Sequence, residues 1–264
     1  MNLVEAFILG AIQGVTEWLP VSSSGHLVLA QSLFGLDASK NLLFDLVVHL
    51  GTLLAVCAYF NKELGRIVIS VLASKAKRDA QMNALRTLGF LLIVATIPAG
   101  VAGVLLSSWL ESIFTPEIVA SALVVNGLLL FVYSRYGSSG ARRNANLKDA
   151  IVIGMFQAVS IVPGISRSGS TLGGGMLRGL EREVAAVFAF LVSVPTLLGA
   201  FAYGFATLDS YDLDLGVGLA GLVVAFLTGL LSIQYLLKIV KKGKLWVFGV
   251  YCIAAGLVAL ALIL

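Results

Sequence analysis

Two short polar runs interrupt an otherwise apolar chain. The first is Gln13-Gly14-Val15-Thr16-Glu17-Trp18-Leu19-Pro20-Val21-Ser22-Ser23-Ser24-Gly25-His26, and the second is Pro163-Gly164-Ile165-Ser166-Arg167-Ser168-Gly169-Ser170-Thr171. Gln13 and Glu17 are four residues apart, so on a helix they share a face and can hold one ligand together. Pro20 should end that helix, and Ser22-Ser23-Ser24-Gly25 can then offer backbone N–H groups at the start of the next, an arrangement that binds anions. The serine hydroxyls add donors and candidate nucleophiles, and His26 is near enough in sequence to carry a proton. In the second run Arg167 stands among hydroxyls and glycines, which leave room for a phosphate that a guanidinium grips with two parallel hydrogen bonds.

Plainer readings compete with each of these. Serine clusters in membrane helices often only cap or tie neighbouring helices. Arg167 and Glu17 could simply pair with one another and join two parts of the chain. Against that, an ionisable side chain at membrane depth costs about 2.5–3.5 kcal/mol on insertion scales and by default marks a functional site. His49, four residues after Asp45 in an apolar stretch, reads first as a packing residue, and Asn126, Tyr133 and Gln234 carry less signal still. Trp18, Trp109 and Trp246 fall near element ends and read as interfacial anchors. Cys57 and Cys252 lie in apolar runs and read as small buried hydrophobes. No dinucleotide fingerprint, phosphate loop or Cys/His metal cluster appears, so neither ATP-driven nor redox chemistry is indicated, and no nucleic-acid partner is expected.

The elements that must position these residues follow from composition. Of 264 residues, 59% are hydrophobic and 12% charged, against roughly 25% charged in a soluble domain, and mean hydropathy is +0.99. The expectation is one all-α polytopic membrane domain over 1–264. Its spans fall near 43–60, 88–107, 117–136, 184–206, 216–238 and 246–264, long enough for a hydrocarbon core of about 30 Å. A β-barrel is excluded because the runs are apolar on every face. Stretches 2–34 and 146–180 are broken by Pro, Gly and Ser and read as two re-entrant helical hairpins, tolerated at depth only where protein or a watery cavity satisfies their backbone. The N-terminus has no basic flank before its apolar stretch and does not read as a cleaved signal.

Charge sets the expected orientation. Lys62, Arg66, Lys75, Lys77, Arg78 and Arg86 follow the first span; Arg135, Arg142, Arg143 and Lys148 follow the third; Lys238, Lys241, Lys242 and Lys244 follow the fifth. The other two connections carry Glu111 and Glu117, then Asp209, Asp212 and Asp214, with no Lys or Arg. By the positive-inside rule this is a multi-pass protein of the plasma (inner) membrane, with both termini and the first hairpin outside. An internal repeat gives the same answer. Asn2 pairs with Asn146, an offset of 144, and at that offset Gln13 meets Gln157, Ser22 meets Ser166, Ser24 meets Ser168 and Gly25 meets Gly169. The halves, 1–144 and 145–264, each hold one hairpin and three spans, so they have inverted topology (3+3), an architecture that sets its working site near the membrane interior.

The chain resembles, along essentially its full length, the undecaprenyl-diphosphate phosphatase family, also called bacitracin-resistance proteins. The resemblance rests on the [Glu/Gln]-x-x-x-Glu stretch from Gln13 to Glu17, the run Pro20 to His26, and the Pro-Gly-x-Ser-Arg-Ser-Gly run Pro163 to Gly169. It implies six spans and two re-entrant hairpins, and removal of the terminal phosphate from a polyprenyl diphosphate lipid on the outer face, recycling the carrier for cell-wall synthesis and giving bacitracin resistance. By motif position the catalytic group would be Glu17, Ser23, His26 and Arg167, with Ser22, Ser24, Gly25, Ser166, Ser168 and Gly169 around the diphosphate. The nucleophile would be Ser23, His26 or a water that His26 activates. A divalent cation, Mg²⁺ or Ca²⁺, would sit at Glu17 and Gln13; Gln13 stands where some members have Glu, which lowers the ligand charge and hence the expected affinity. A polyprenyl-phosphate flippase built on the same repeat is the competing reading, and a homodimer is compatible with either.

Overall fold

The computed structural model describes residues 1–36, 41–74, 79–137, 141–208 and 213–263. Lys75, Lys77, Arg78, Asp209, Asp212 and the side chain of Glu111 therefore lie outside the described residues. All named elements are helices, and the one β-type contact among the described residues is an isolated bridge between Arg142 and Leu180. Six helices are long and apolar enough to cross a membrane: α3 (Leu42–Tyr59), α5 (Ala80–Leu105), α7 (Pro116–Tyr136), α10 (Arg182–Ala206), α11 (Leu215–Lys241) and α12 (Trp246–Ile263). They fall on the six expected spans, except that α5 starts at residue 80 rather than 88.

Two pairs of shorter helices fill the interrupted stretches: α1 (Leu3–Trp18) with α2 (Ser23–Leu33), and α8 (Leu147–Val159) with α9 (Arg167–Leu177). Each pair opens on a reciprocal capping box. Asn2 and Glu5 exchange hydrogen bonds of 2.7 and 2.9 Å, and Asn146 and Asp149 exchange bonds of 3.0 and 3.1 Å, satisfying N–H groups that a helix start leaves without partners. Ser22 and Ser166 cap the second helix of their pairs through the N–H groups of Gly25 and Gly169. The short helices α4 (Asn61–Leu72) and α6 (Ser107–Ser112) were not foreseen. Lys62, Glu63 and Arg66 disguise the start of α4 as a loop, yet it lies along α5 with Ile67 buried and Val68, Ile69 and Leu72 exposed, the pattern of an interfacial helix.

The molecule is apolar on its lateral surface and in most of its core, with a set of polar side chains buried within that core. Ile93, Ile97 and Val101 on α5 are more than half exposed, whereas Gln13, Glu17, Thr52, Asn126, Gln157 and Thr171 are buried. In lipid no hydrophobic force holds helices together, so close backbone approach matters. α1 packs on α11 through Gly10, where a Cβ would come within 2.6 Å of the Gly221 carbonyl oxygen. α8 packs on α5 through Gly154, where a Cβ would come within 2.7 Å of the Ala95 carbonyl oxygen. These contacts carry the ends of α1 and α8 into the centre. Trp18 corrects the expectation of an interfacial anchor: it is 1% exposed and packs 5.6 Å from the Phe190 ring, because α1 ends inside the protein rather than at a membrane surface.

Candidate active site

The two tips meet between α1 and α9. Pro20 stops α1, and the chain turns through Ser22, whose φ of 68° makes it the sole non-glycine residue with positive φ among those described. On the other side Gly164, at φ 98°, lets the chain turn against α7, where a Cβ would lie 2.6 Å from the Val119 carbonyl oxygen and from the Ala122 methyl. Asn126, buried on α7, ties both tips: its amide donates to the Pro20 carbonyl (3.0 Å) and accepts from the Ser166 N–H (3.0 Å). The Ser168 hydroxyl donates to the Leu19 carbonyl at 3.0 Å.

This junction brings Gln13, Glu17, Ser23 and Arg167 together. Glu17 is 6% exposed. Its Oε2 accepts from the Ser23 hydroxyl (2.6 Å) and the Gln13 amide (2.9 Å), and its Oε1 is paired with Arg167 Nη2. The Arg167 guanidinium lies over the Trp18 ring at 5.9 Å, a cation–π contact that helps hold a charge away from water. A serine hydroxyl donating to a buried carboxylate is the arrangement of a nucleophile with its base. The remaining expected phosphate ligands line the same two helix starts: Ser22 and Ser24 hydroxyls are 3.4 Å apart, and Ser166 and Ser168 hydroxyls 3.0 Å apart.

Three buried side-chain atoms in this cluster lack a protein partner: Arg167 Nη1, Gln13 Oε1 and Trp18 Nε1. Leaving such a group unpaired costs about 1–3 kcal/mol, more when it is charged, so a ligand is the natural place for that deficit to be met. Arg167 also lines a small cavity with Trp18, Ser168, Leu172, Phe190 and Ser193. Toward a divalent cation the donors present are the Glu17 carboxylate and the Gln13 carbonyl. No group of three or more His, Cys, Asp or Glu side chains that could hold a metal occurs among the described residues. Mg²⁺ is commonly held by one or two carboxylates with further oxygen ligands completing its shell, and the Glu17 carboxylate with the unpartnered Gln13 carbonyl is the oxygen donor set this cluster offers one.

His49 packs among apolar side chains, as expected, and also reaches the edge of this cluster. Its Nε2 lies 3.7 Å from Glu17 Oε2, with Nδ1 2.7 Å from the Asp45 carbonyl, and it also lines an apolar cavity of about 140 Å³ with Leu46, Leu50, Leu53, Leu197, Ala200 and Phe201. Its repeat partner Ser193, at the offset of 144, lines the Arg167 cavity, a relation that only the structure shows. His26 is placed differently from its sequence neighbours. Its Nδ1 meets the Ser22 carbonyl at 2.8 Å and its Nε2 meets the Tyr251 hydroxyl at 2.8 Å, while Ser23 is engaged by Glu17.

Six helices long and apolar enough to cross a membrane, around a buried carboxylate with a partly buried serine and arginine, make up a polytopic membrane protein whose central cluster suits a phosphate group. Residues 6–258 match the family described as Bacitracin resistance protein BacA, and the chain belongs to that family. It is 40% identical over 259 residues to Undecaprenyl-diphosphatase 1 of Shouchella clausii, covering 96% of this chain and 93% of that one. It is 37% identical over 269 residues to the undecaprenyl-diphosphatase of Methanobrevibacter smithii (98% and 96% covered), and 36% identical over 267 residues to that of Korarchaeum cryptofilum, covering both chains fully.

Proposed function

We propose that the protein hydrolyses undecaprenyl diphosphate to the monophosphate and inorganic phosphate, working on the outer face of the plasma membrane to recycle a cell-wall lipid carrier and so conferring bacitracin resistance. The observation that carries this reading is the Ser23 hydroxyl donating to Glu17 Oε2 at 2.6 Å beside the half-engaged Arg167. The diphosphate is bound by Arg167 and by the helix starts at Ser22 to Gly25 and Ser166 to Gly169, with the prenyl tail leaving between the two halves into lipid. Ser23 Oγ attacks the terminal phosphorus, Glu17 takes the hydroxyl proton, and the monophosphate departs. Glu17 gives that proton to the departing monophosphate and is then free to take one from water, which attacks the phosphoserine; the proton returns to Ser23 Oγ as phosphate leaves. A divalent cation held by Glu17 and the Gln13 carbonyl, together with the substrate, would offset charge on the phosphate oxygens. Such chemistry is mostly positioning and charge stabilisation.

The same reading treats α1–α2 and α8–α9 as re-entrant hairpins of an inverted repeat. It is supported by matching bounds, α2 beginning and ending at 23 and 33 and α9 at 167 and 177, each offset by 144. A flippase would also want inverted repeats and a central arginine, but carrying a phosphate requires no nucleophile with a base. Phosphate release from a prenyl diphosphate by detergent-solubilised protein, with and without Mg²⁺ or Ca²⁺, tests this. Ser23→Ala should abolish release, and Arg167→Ala should lower it by about 10²–10³-fold. Wild-type protein that binds the lipid and releases no phosphate would leave lipid transport as the better account.

A further inference from the structure

Tyr251 stands on the last helix, 225 positions from His26, and the two rings stack at 5.6 Å with an interplanar angle of 9°. The hydrogen bonds at the imidazole define its form. The Ser22 carbonyl can only accept, so a proton sits on Nδ1, and in the neutral imidazole the Nε2 lone pair then accepts from the Tyr251 hydroxyl. The nitrogen that would serve as a base or nucleophile is thus engaged by a phenol, while the serine it would serve is held by Glu17. What His26 does reach is Ser22. The Ser22 carbonyl accepts from both the backbone N–H of His26 (3.2 Å) and its Nδ1 (2.8 Å).

Ser22 needs that support. Its φ of 68° and ψ of 97° lie where a side-chain-bearing residue is strained, and such conformations persist only when their surroundings over-determine them. As the cap of α2, Ser22 takes up the N–H groups of Gly25 and His26, so those of Ser23 and Ser24 are the ones at the helix start that can meet an anion.

We propose that Tyr251 is a positioning residue for the phosphatase reaction, acting through His26 to hold Ser22 in the conformation that presents the start of α2 to the substrate phosphate. This rests on the phosphatase reading above, and assigns His26 to geometry rather than to proton or phosphoryl transfer. Asparagine carries an amide nitrogen where histidine carries Nδ1, so His26→Asn can still donate to the Ser22 carbonyl, whereas His26→Ala cannot.

The test is steady-state release of phosphate from a prenyl diphosphate by the detergent-solubilised full chain, with thermal unfolding recorded for each variant. Tyr251→Phe is expected to raise KM about tenfold, the scale of one neutral hydrogen bond, with kcat changed far less. His26→Asn should stay within about tenfold of wild type while His26→Ala falls well below it. Tyr251→Phe at or above wild-type rates, or His26→Asn as inactive as His26→Ala, would overturn the proposal and return Nε2 to the reaction. Should Tyr251→Phe not fold, the two His26 variants decide between these outcomes. A wild-type protein with no phosphatase activity sinks both readings, whereas an active wild type with those variant results sinks only this one.

Discussion

Glu17 is the residue on which the site turns. It is required to be a charged partner for Arg167, an acceptor for Ser23 and Gln13, and a near neighbour of His49, all within a buried cluster. Glu17→Gln removes the base and leaves Arg167 uncompensated. Phosphate release should fall by about 10²–10⁴-fold, and stability by about 3–5 kcal/mol. A double-mutant cycle with Arg167→Gln, read by unfolding in detergent, should show the pair strongly coupled, the double variant losing less than the two single losses combined. Gln13→Glu would set a second carboxylate four residues from the first. The concentration of Mg²⁺ or Ca²⁺ giving half-maximal activity should then fall; an unchanged midpoint would argue against a cation at this position. The pairing of Gln13 with Glu17 was legible from spacing on one helix, and a Glu17–Arg167 pair was the plainer reading of two ionisable groups in apolar surroundings; that Ser23 and Arg167 take separate oxygens of the one carboxylate was not.

At the level of elements, the tips hold their register through contacts with the helices around them. Asn126 satisfies one backbone group from each tip, and Asn126→Ala would leave the Ser166 N–H buried and unpaired and the Pro20 carbonyl with the weak Cys252 thiol donor at 3.8 Å. A loss of about 2–4 kcal/mol is expected, together with reduced activity, and calorimetry or thermal shift in detergent measures it. The start of α8 is fixed by charge. Asp149, with no exposed side-chain surface, receives two hydrogen bonds from Arg142 (2.8 and 2.9 Å) and one from Arg178 (3.0 Å). Burial by itself would raise its pKa, but Arg142, the Asn146 N–H and Arg178 outweigh burial and hold it below the usual 3.8. Because the folded pKa is the lower one, the stabilisation is fully present above the unfolded value near 4 and is lost as pH falls through the folded value. Hydrogen exchange at the first turn of α8 should therefore quicken only in acid below about pH 4, and in Asp149→Asn at neutral pH.

For the whole molecule, the decisive question is which end faces the cytoplasm. The charge reading sets the connections before α8 and before α12 inside, and α6 outside. In a background with Cys57 and Cys252 replaced, Lys242→Cys should react with a membrane-impermeant thiol reagent only after the membrane is opened. Ser107→Cys should react in intact cells. The reverse pattern would turn the site toward the cytoplasm and contradict the proposed outer-face reaction.

Hydropathy is a local property, and for that reason the six spans and the two interrupted stretches could be read directly from the chain. The types of residue at the two tips were legible too, since Glu and Arg at membrane depth are too costly to be incidental. Partnership is not local. Glu17 and Arg167 are 150 residues apart, and they meet because close glycine contacts seat α1 on α11 and α8 on α5. The same packing turned Trp18 inward, brought His49 to the carboxylate and gave Asn126 two tips to bind. It also joined His26 to Tyr251 across 225 positions, a pairing that no spacing or period in the chain encodes.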